Sequence, residues 1–378
     1  DREGGRIGER IGGRIGSGGF DPRPRETDDR DVALTAAWPE VLPLTGRGEY
    51  VSMLEISIGD PRQRFDVIAD TGSANLWIMD ERCKSCDDEI SHKKYIRRRS
   101  RTYQKIDSLE DASVRYSAGW MKGRWALETL HVGGASMVVH LGLADVVSEP
   151  VALMHCSGIL GLGLDASGSF RGRPSFLEAL TELHGDEMTE TVFAFIWNGK
   201  GLGEAGELIV GEMQWHLYEG GVHWLRVLPT SADDDRDPRY GYWRVGLESA
   251  AILGKDIKSL QLKPLGALMD SGTSCIGVPS WDYEKVVKWI AGANLQGLGA
   301  KELEVSMVLS GREFKLMGDK VCITDVGELP VWILGDVFHR GFPVTYDFGR
   351  MPPRIGLPML GSRRVASFDW LVSQRMVE

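Results

Sequence analysis

Asp70-Thr71-Gly72-Ser73 and Asp270-Ser271-Gly272-Thr273 decide how this chain folds. Each delivers one carboxylate from the end of an apolar run into a glycine turn. The runs are Phe65-Asp66-Val67-Ile68-Ala69 and Leu265-Gly266-Ala267-Leu268-Met269. An Asp at such a junction is held by rigid backbone. One tetrapeptide of this kind arises by chance in about a few per cent of chains this long, so a single copy would carry little weight. Two copies are different, because their surroundings match as well. Ser157-Gly158-Ile159-Leu160-Gly161-Leu162-Gly163 follows the first, and Trp332-Ile333-Leu334-Gly335-Asp336 follows the second. Two apolar residues and then Gly predict a buried strand behind each Asp turn, with Gly at a close backbone approach. The repeated order predicts two similar lobes, each supplying half of one site.

The chain has 378 residues, 42% of them hydrophobic, which is enough for two compact lobes. Short Val/Ile/Leu-rich runs punctuated by Gly and Pro predict a mainly β fold. Few long helical periods occur, the best at Pro174–Leu183 and Ser280–Ile290. In the second, Trp281, Val286, Trp289 and Ile290 are expected to share a face. A net charge of −10 argues against a nucleic-acid partner. No apolar run reaches the ~18 residues needed to span a bilayer. The sequence starts at Asp1, so a secretory leader is expected to have been removed or to lie outside it.

Composition shifts at the N-terminal end. Gly5-Arg6-Ile7-Gly8 recurs as Gly13-Arg14-Ile15-Gly16, a pattern that buries little apolar surface. Residues 1–40 are therefore read as a Gly/Arg-rich extension. His92-Lys93-Lys94-Tyr95-Ile96-Arg97-Arg98-Arg99-Ser100-Arg101 is strongly basic and reads either as a docking surface or as a solvated loop. Asp233-Asp234-Asp235-Arg236-Asp237 lacks the spacing of a calcium loop and reads as an exposed insertion.

The chemistry follows from the paired Asp residues. Two carboxylates held close together cannot both ionise easily, so the pair keeps one proton. One can then deprotonate a water while the other donates a hydrogen bond to a carbonyl, with no covalent intermediate. No Ser-His-Asp order, HExxH motif or Cys/His pair competes for the role. No metal or other cofactor is expected. Cys83-Lys84-Ser85-Cys86 would need two further ligands to hold zinc, and a redox-active pair lacks an evident helix N-terminus. Five cysteines leave at least one thiol unpaired within the chain.

The chain resembles the pepsin-type aspartic proteases, and most of all their cathepsin D and plasmepsin branch. Asp70-Thr71-Gly72-Ser73-Ala74-Asn75-Leu76-Trp77 and Met269-Asp270-Ser271-Gly272-Thr273-Ser274 carry the likeness. Tyr240-Gly241-Tyr242-Trp243-Arg244-Val245 and Trp332-Ile333-Leu334-Gly335-Asp336-Val337-Phe338 extend it over about Val41 to Leu360. The resemblance implies an all-β, bilobal fold with pseudo-two-fold related lobes and a deep cleft, 41–211 forming the N-terminal lobe, 212–360 the C-terminal lobe and 361–378 a C-terminal extension. It implies an endopeptidase acting on peptide or protein substrates at apolar-flanked bonds, with Asp70 and Asp270 catalytic. Ser73 and Thr273 would bond the outer carboxylate oxygens, while Thr71 and Ser271 would cross-brace the turns beside Gly72 and Gly272.

A hairpin with a Gly-containing tip is read at Val114–Gly123. By resemblance it is a flap, formed by Tyr116, Ser117, Ala118 and Gly119, with Trp77 donating its indole N–H to the Tyr116 hydroxyl. Matching positions put Ile68, Tyr116, Cys156 and Ile159 on one side of the substrate groove and Leu268 and Ile333 on the other, with Trp77 also among the substrate-binding residues. Cys83 and Cys86 would form a small disulfide. Cys322 matches a family disulfide position with no partner found, and Cys156 and Cys275 are expected to be buried thiols. The resemblance also implies a monomer of the secretory or endomembrane pathway, whose own prosegment lies before Val41. The rival reading is a silent relative that only binds peptides. Such proteins usually carry a damaged Asp segment, and neither is damaged here.

Overall fold

The computed structural model describes residues 38–46, 51–86, 93–106, 112–116, 119–164, 174–197, 206–218, 220–230, 239–254, 257–292, 303–317, 322–359 and 362–364. The Gly/Arg repeat, the acidic run 233–237, Ser117, Ala118 and the end of the C-terminal extension lie outside the described residues. The fold is all-β and bilobal, with few helices.

Both halves build the same junction. Strand Gln63–Asp70 begins half-exposed and ends with four buried residues, because its far end passes between neighbours on both sides. Met53–Ile58 pairs with it antiparallel, setting Met53 opposite Ile68. Gly158–Gly161 pairs with it parallel, setting Ile159 beside Ile68 and Gly161 beside Asp70. After the Asp turn the chain returns as Leu76–Met79, antiparallel to the other side of Gly158–Gly161. In the second half Ala267–Met269 runs parallel to Trp332–Leu334, with Leu268 beside Ile333, and Ile276–Val278 returns antiparallel to that strand. Each Ile-Leu-Gly run is thus the strand lying between the incoming and outgoing arms of an Asp turn. Gly is required at its end: a Cβ on Gly161 would stand 2.5 Å from the Ala74 carbonyl carbon, and one on Gly335 would collide with the Thr273 and Cys275 carbonyls.

A 14-stranded sheet joins the halves. Val344–Asp347 from late in the chain pairs with Val192–Trp197, and Gly206–Val210 links that strand to Glu40–Thr45. Two five-stranded sheets complete the second half. Ser362–Arg364, at the start of the C-terminal extension, pairs parallel with Lys315–Met317. The apolar core runs through both halves, and a separate cluster containing Ile68, Trp77, Met121, Cys156 and Ile159 lies under the hairpin Ala112–Tyr116/Gly119–Val132.

Two helices occupy the periodic stretches. Phe176–His184 starts with a capping box between Ser175 and Glu178. Ser280–Gly292 buries Val286 and leans Trp289 on the core, but Trp281 is 45% exposed, which corrects the shared face expected for it. Trp281 lies five residues before Val286, which at 3.6 residues per turn sets it about 140° round the helix from that buried side chain.

The basic stretch is largely neutralised by this fold. Lys93 lies 3.9 Å from Asp66, Arg97 3.1 Å from Asp80, Arg98 2.8 Å from Glu81 and Arg101 2.7 Å from Asp60. With four cations engaged at home, little charge is left for the docking reading.

Candidate active site

The two Asp turns meet tip to tip. The Thr71 backbone N–H donates to Ser271 Oγ at 3.0 Å, and the Ser271 backbone N–H donates to Thr71 Oγ1 at 2.9 Å. Each hydroxyl then crosses beneath the opposite strand: Thr71 Oγ1 donates to the Met269 carbonyl at 2.8 Å and Ser271 Oγ to the Ala69 carbonyl at 2.6 Å. Four buried hydrogen bonds between groups about 200 residues apart in sequence thus lock the halves together.

This brace puts the carboxylates face to face. Asp70 Oδ1 accepts from the Gly72 N–H at 2.8 Å, and Oδ2 from the Ser73 hydroxyl at 2.5 Å. Asp270 repeats the pattern with the Gly272 N–H at 2.9 Å and the Thr273 hydroxyl at 2.7 Å. Each carboxylate also lies over the glycine of the opposing turn. A Cβ on Gly72 would stand 2.5 Å from Asp270 Oδ1, and one on Gly272 would collide with Asp70 Oδ1. Burial pushes the Asp70 carboxyl well above its ordinary range, and the Asp270 charge pushes it further. The Ser73 and Gly72 hydrogen bonds only partly offset this.

One strand end comes close to the Asp70 carboxyl. Tyr116 ends strand Ala112–Tyr116, opposite Gly119 of the returning strand. Its hydroxyl accepts the Trp77 indole N–H at 2.7 Å. Burial and the nearby Asp70 charge push that hydroxyl far above its ordinary pKa. The returning strand is pinned at Trp120, whose N–H donates to Ser148 Oγ at 2.9 Å and whose carbonyl accepts the Ser148 N–H at 2.9 Å. Lys122 Nζ lies 5.3 Å from the centre of the Trp120 ring.

Ile68, Trp77, Cys156 and Ile159 pack in one buried cluster with half-buried Tyr116 against it. Leu268 and Ile333 adjoin each other across the paired strands of the second half. The fold therefore collects the expected groove residues into one group from each half.

The cysteines need one correction. Cys83 and Cys86 form a disulfide, and Cys156 is a buried thiol. Cys275, expected to be a buried thiol, is bonded to Cys322, whose partner the sequence does not show. Strand pairing makes the bond: Ile276–Val278 runs parallel to Ile323–Asp325, so the residues just before each strand face one another across 5.0 Å between Cα atoms. A separation of 47 residues gives no local signal of this.

Asp336, not among the residues expected at the site, is fully buried. Its Oδ1 accepts from Ser52 Oγ at 2.6 Å, its Oδ2 is ion-paired with Arg340, and its N–H donates to the Thr273 carbonyl at 2.6 Å. Asp336 closes the Trp332–Asp336 segment, which was the available signal; Ser52 carried none.

Comparison with known proteins agrees with this architecture. The family described as eukaryotic aspartyl protease matches residues 49–359, and the chain belongs to that family, whose members are aspartic-type endopeptidases. Gastricsin from Cavia porcellus is 28% identical over 330 residues, covering 78% of this chain and 76% of the relative. Pepsin-2B from Gadus morhua is 28% identical over 319 residues, covering 77% and 91%. Vacuolar protease A from Aspergillus fumigatus is 30% identical over 322 residues, covering 78% and 76%. Relatives this evenly matched single out no branch of the family.

Proposed function

We propose that the chain hydrolyses peptide bonds with a water activated between Asp70 and Asp270. The observation that carries this reading is the reciprocal seating of each carboxylate over the other turn's glycine. At that separation the pair carries one proton as a unit. The ionised member takes a proton from the water as it attacks the scissile carbonyl carbon. The protonated member donates to the carbonyl oxygen, and the proton is returned to the leaving nitrogen. Ser73 and Thr273 hold the outer oxygens, so the inner oxygens are left to face the water. The Thr71–Ser271 brace fixes their spacing.

The hairpin carrying Tyr116 acts as the flap. It covers an extended peptide, excludes water and adds main-chain hydrogen bonds. The apolar groups around Ile68, Ile159, Leu268 and Ile333 favour apolar side chains beside the cleaved bond. Two disulfides suit an oxidising compartment of the secretory pathway, and a pair that must share a proton suits an acidic one. The division into lobes at 41–211 and 212–360, a prosegment before Val41 and a monomeric state belong to the same proposal. Among the described residues, no helix is long and apolar enough to cross a membrane.

The test is cleavage of a quenched fluorogenic peptide library across pH by the full chain, with Asp70→Asn and Asp270→Asn beside it. Both variants are expected to lose turnover while still binding a statine-type transition-state mimic. Near-wild-type turnover by either folded variant refutes the mechanism.

A further inference from the structure

Beneath the carboxylate pair lies a second buried polar group. His339 sits on the short helix Asp336–Gly341, fully buried. Its Nδ1 is 2.9 Å from the Gly335 carbonyl oxygen and its Nε2 is 2.6 Å from the Tyr346 hydroxyl. A carbonyl oxygen only accepts, so Nδ1 carries the proton and Nε2 accepts the Tyr346 O–H. Burial pushes the imidazole pKa down, so this neutral arrangement persists into acid. The charges facing His339 are Asp336 on its own helix, paired with Arg340, and Asp270 from the turn above. Strand Val192–Trp197 presents the Phe195 ring to it, 5.3 Å between centres.

Both ends of this pair lead to the Asp turns. On one side, His339 holds the carbonyl of the Gly335–Asp336 peptide, whose N–H donates to the Thr273 carbonyl. Thr273 in turn donates its hydroxyl to Asp270. On the other side, the Tyr346 hydroxyl lies against the Thr71 hydroxyl, half of the brace between the turns. The Tyr346 ring is fixed: it stacks on Phe193 at 4.7 Å and meets Trp243 edge-on at 4.8 Å. One imidazole therefore touches the support of the Asp270 turn directly and that of the Asp70 turn through one tyrosine.

We propose that His339 and Tyr346 form a buried positioning pair that sets the spacing of Asp70 and Asp270 from below. The inference rests on the reading of those two residues as the reacting pair. Removing the Tyr346 oxygen lets the brace relax and the carboxylates separate. Their mutual repulsion then weakens, and the pair gives up its shared proton at a lower pH.

The experiment uses the full chain with Tyr346→Phe, His339→Leu and His339→Gln, beside wild type and Asp70→Asn. The measurements are kcat, KM and the pH profile of kcat/KM. Tyr346→Phe is expected to lower kcat by about tenfold, keep KM within about twofold and move the alkaline limb to lower pH. His339→Leu is expected to do the same. His339→Gln should recover most of the loss, because its amide oxygen can accept the Tyr346 hydroxyl. Should the His339 variants fail to fold, Tyr346→Phe, which removes one atom, decides by itself. Wild-type kcat and an unmoved limb in Tyr346→Phe, beside an inactive Asp70→Asn, overturn the inference alone. A Tyr346→Phe variant that loses only thermal stability overturns it too. Undiminished turnover by Asp70→Asn overturns the reading of the pair, and this inference with it.

Discussion

Replacing Gly72 with Ala adds a single methyl group at the closest point between the two turns. The new Cβ would stand 2.5 Å from Asp270 Oδ1, 2.6 Å from its Cγ and 2.8 Å from its Oδ2, where ordinary contact begins near 3.4 Å. The carboxylate cannot swing aside, because the Gly272 N–H and the Thr273 hydroxyl hold it. The Asp70 turn cannot back away without breaking the Thr71–Ser271 brace. Asp270 must therefore be displaced by about 1 Å, and an error of that size at reacting groups costs on the order of 100-fold in rate. That is about 2.7 kcal/mol of transition-state stabilisation. The assay is steady-state cleavage of a fluorogenic peptide at acidic pH, paired with thermal unfolding. Gly272→Ala should behave alike, since its Cβ would meet Asp70 Oδ1. Gly246→Ala is the control: an added Cβ there meets nothing within 4 Å, and turnover should be unchanged. A Gly72→Ala enzyme within about threefold of wild-type kcat would refute the reasoning, because the pair would then not need this spacing.

Asp70→Asn should gain stability as well as lose activity. The native Asp70 holds its proton above the ordinary value of 3.8, so between 3.8 and its raised pKa the native state binds a proton the unfolded chain has released. Wild-type stability therefore falls as pH rises through that window. Thermal scans should find the two proteins alike below pH 3.8 and the variant more stable at neutral pH; a variant less stable at neutral pH would contradict this. Serine at both Cys275 and Cys322 opens a 47-residue loop, worth about 4 kcal/mol in chain entropy against about 2 for the short Cys83–Cys86 loop. Denaturant unfolding measures the difference, and alkylation of Cys275 in the unreduced native protein would show that the bond is absent. Tyr116→Ala should lower kcat/KM with little change in melting, since Tyr116 is half-buried at a hairpin end, whereas Trp77→Ala removes a fully buried indole and should cost about 3–5 kcal/mol. Equal melting temperatures for those two variants would count against the flap assignment.

The local order of residues settles a good deal of this protein. The Asp turns, the Ile-Leu-Gly strands behind them and the Tyr116 hairpin are short-range patterns, in which the local structure follows from neighbours a few positions away, while the roles of their residues come from the family resemblance. The β character and both helices are legible for the same reason. What lies between segments far apart in the chain is not. The Cys275–Cys322 bond exists because two strands run parallel in one register. Ser52 meets Asp336 across 284 residues, and Thr71 meets Ser271 across 200. Trp281 faces solvent because five residues carry it about 140° round the helix from the buried Val286. The spacing of Asp70 and Asp270 is of this second kind: each turn is written in four residues, but the distance between them is set by hydrogen bonds that form only when the two halves meet.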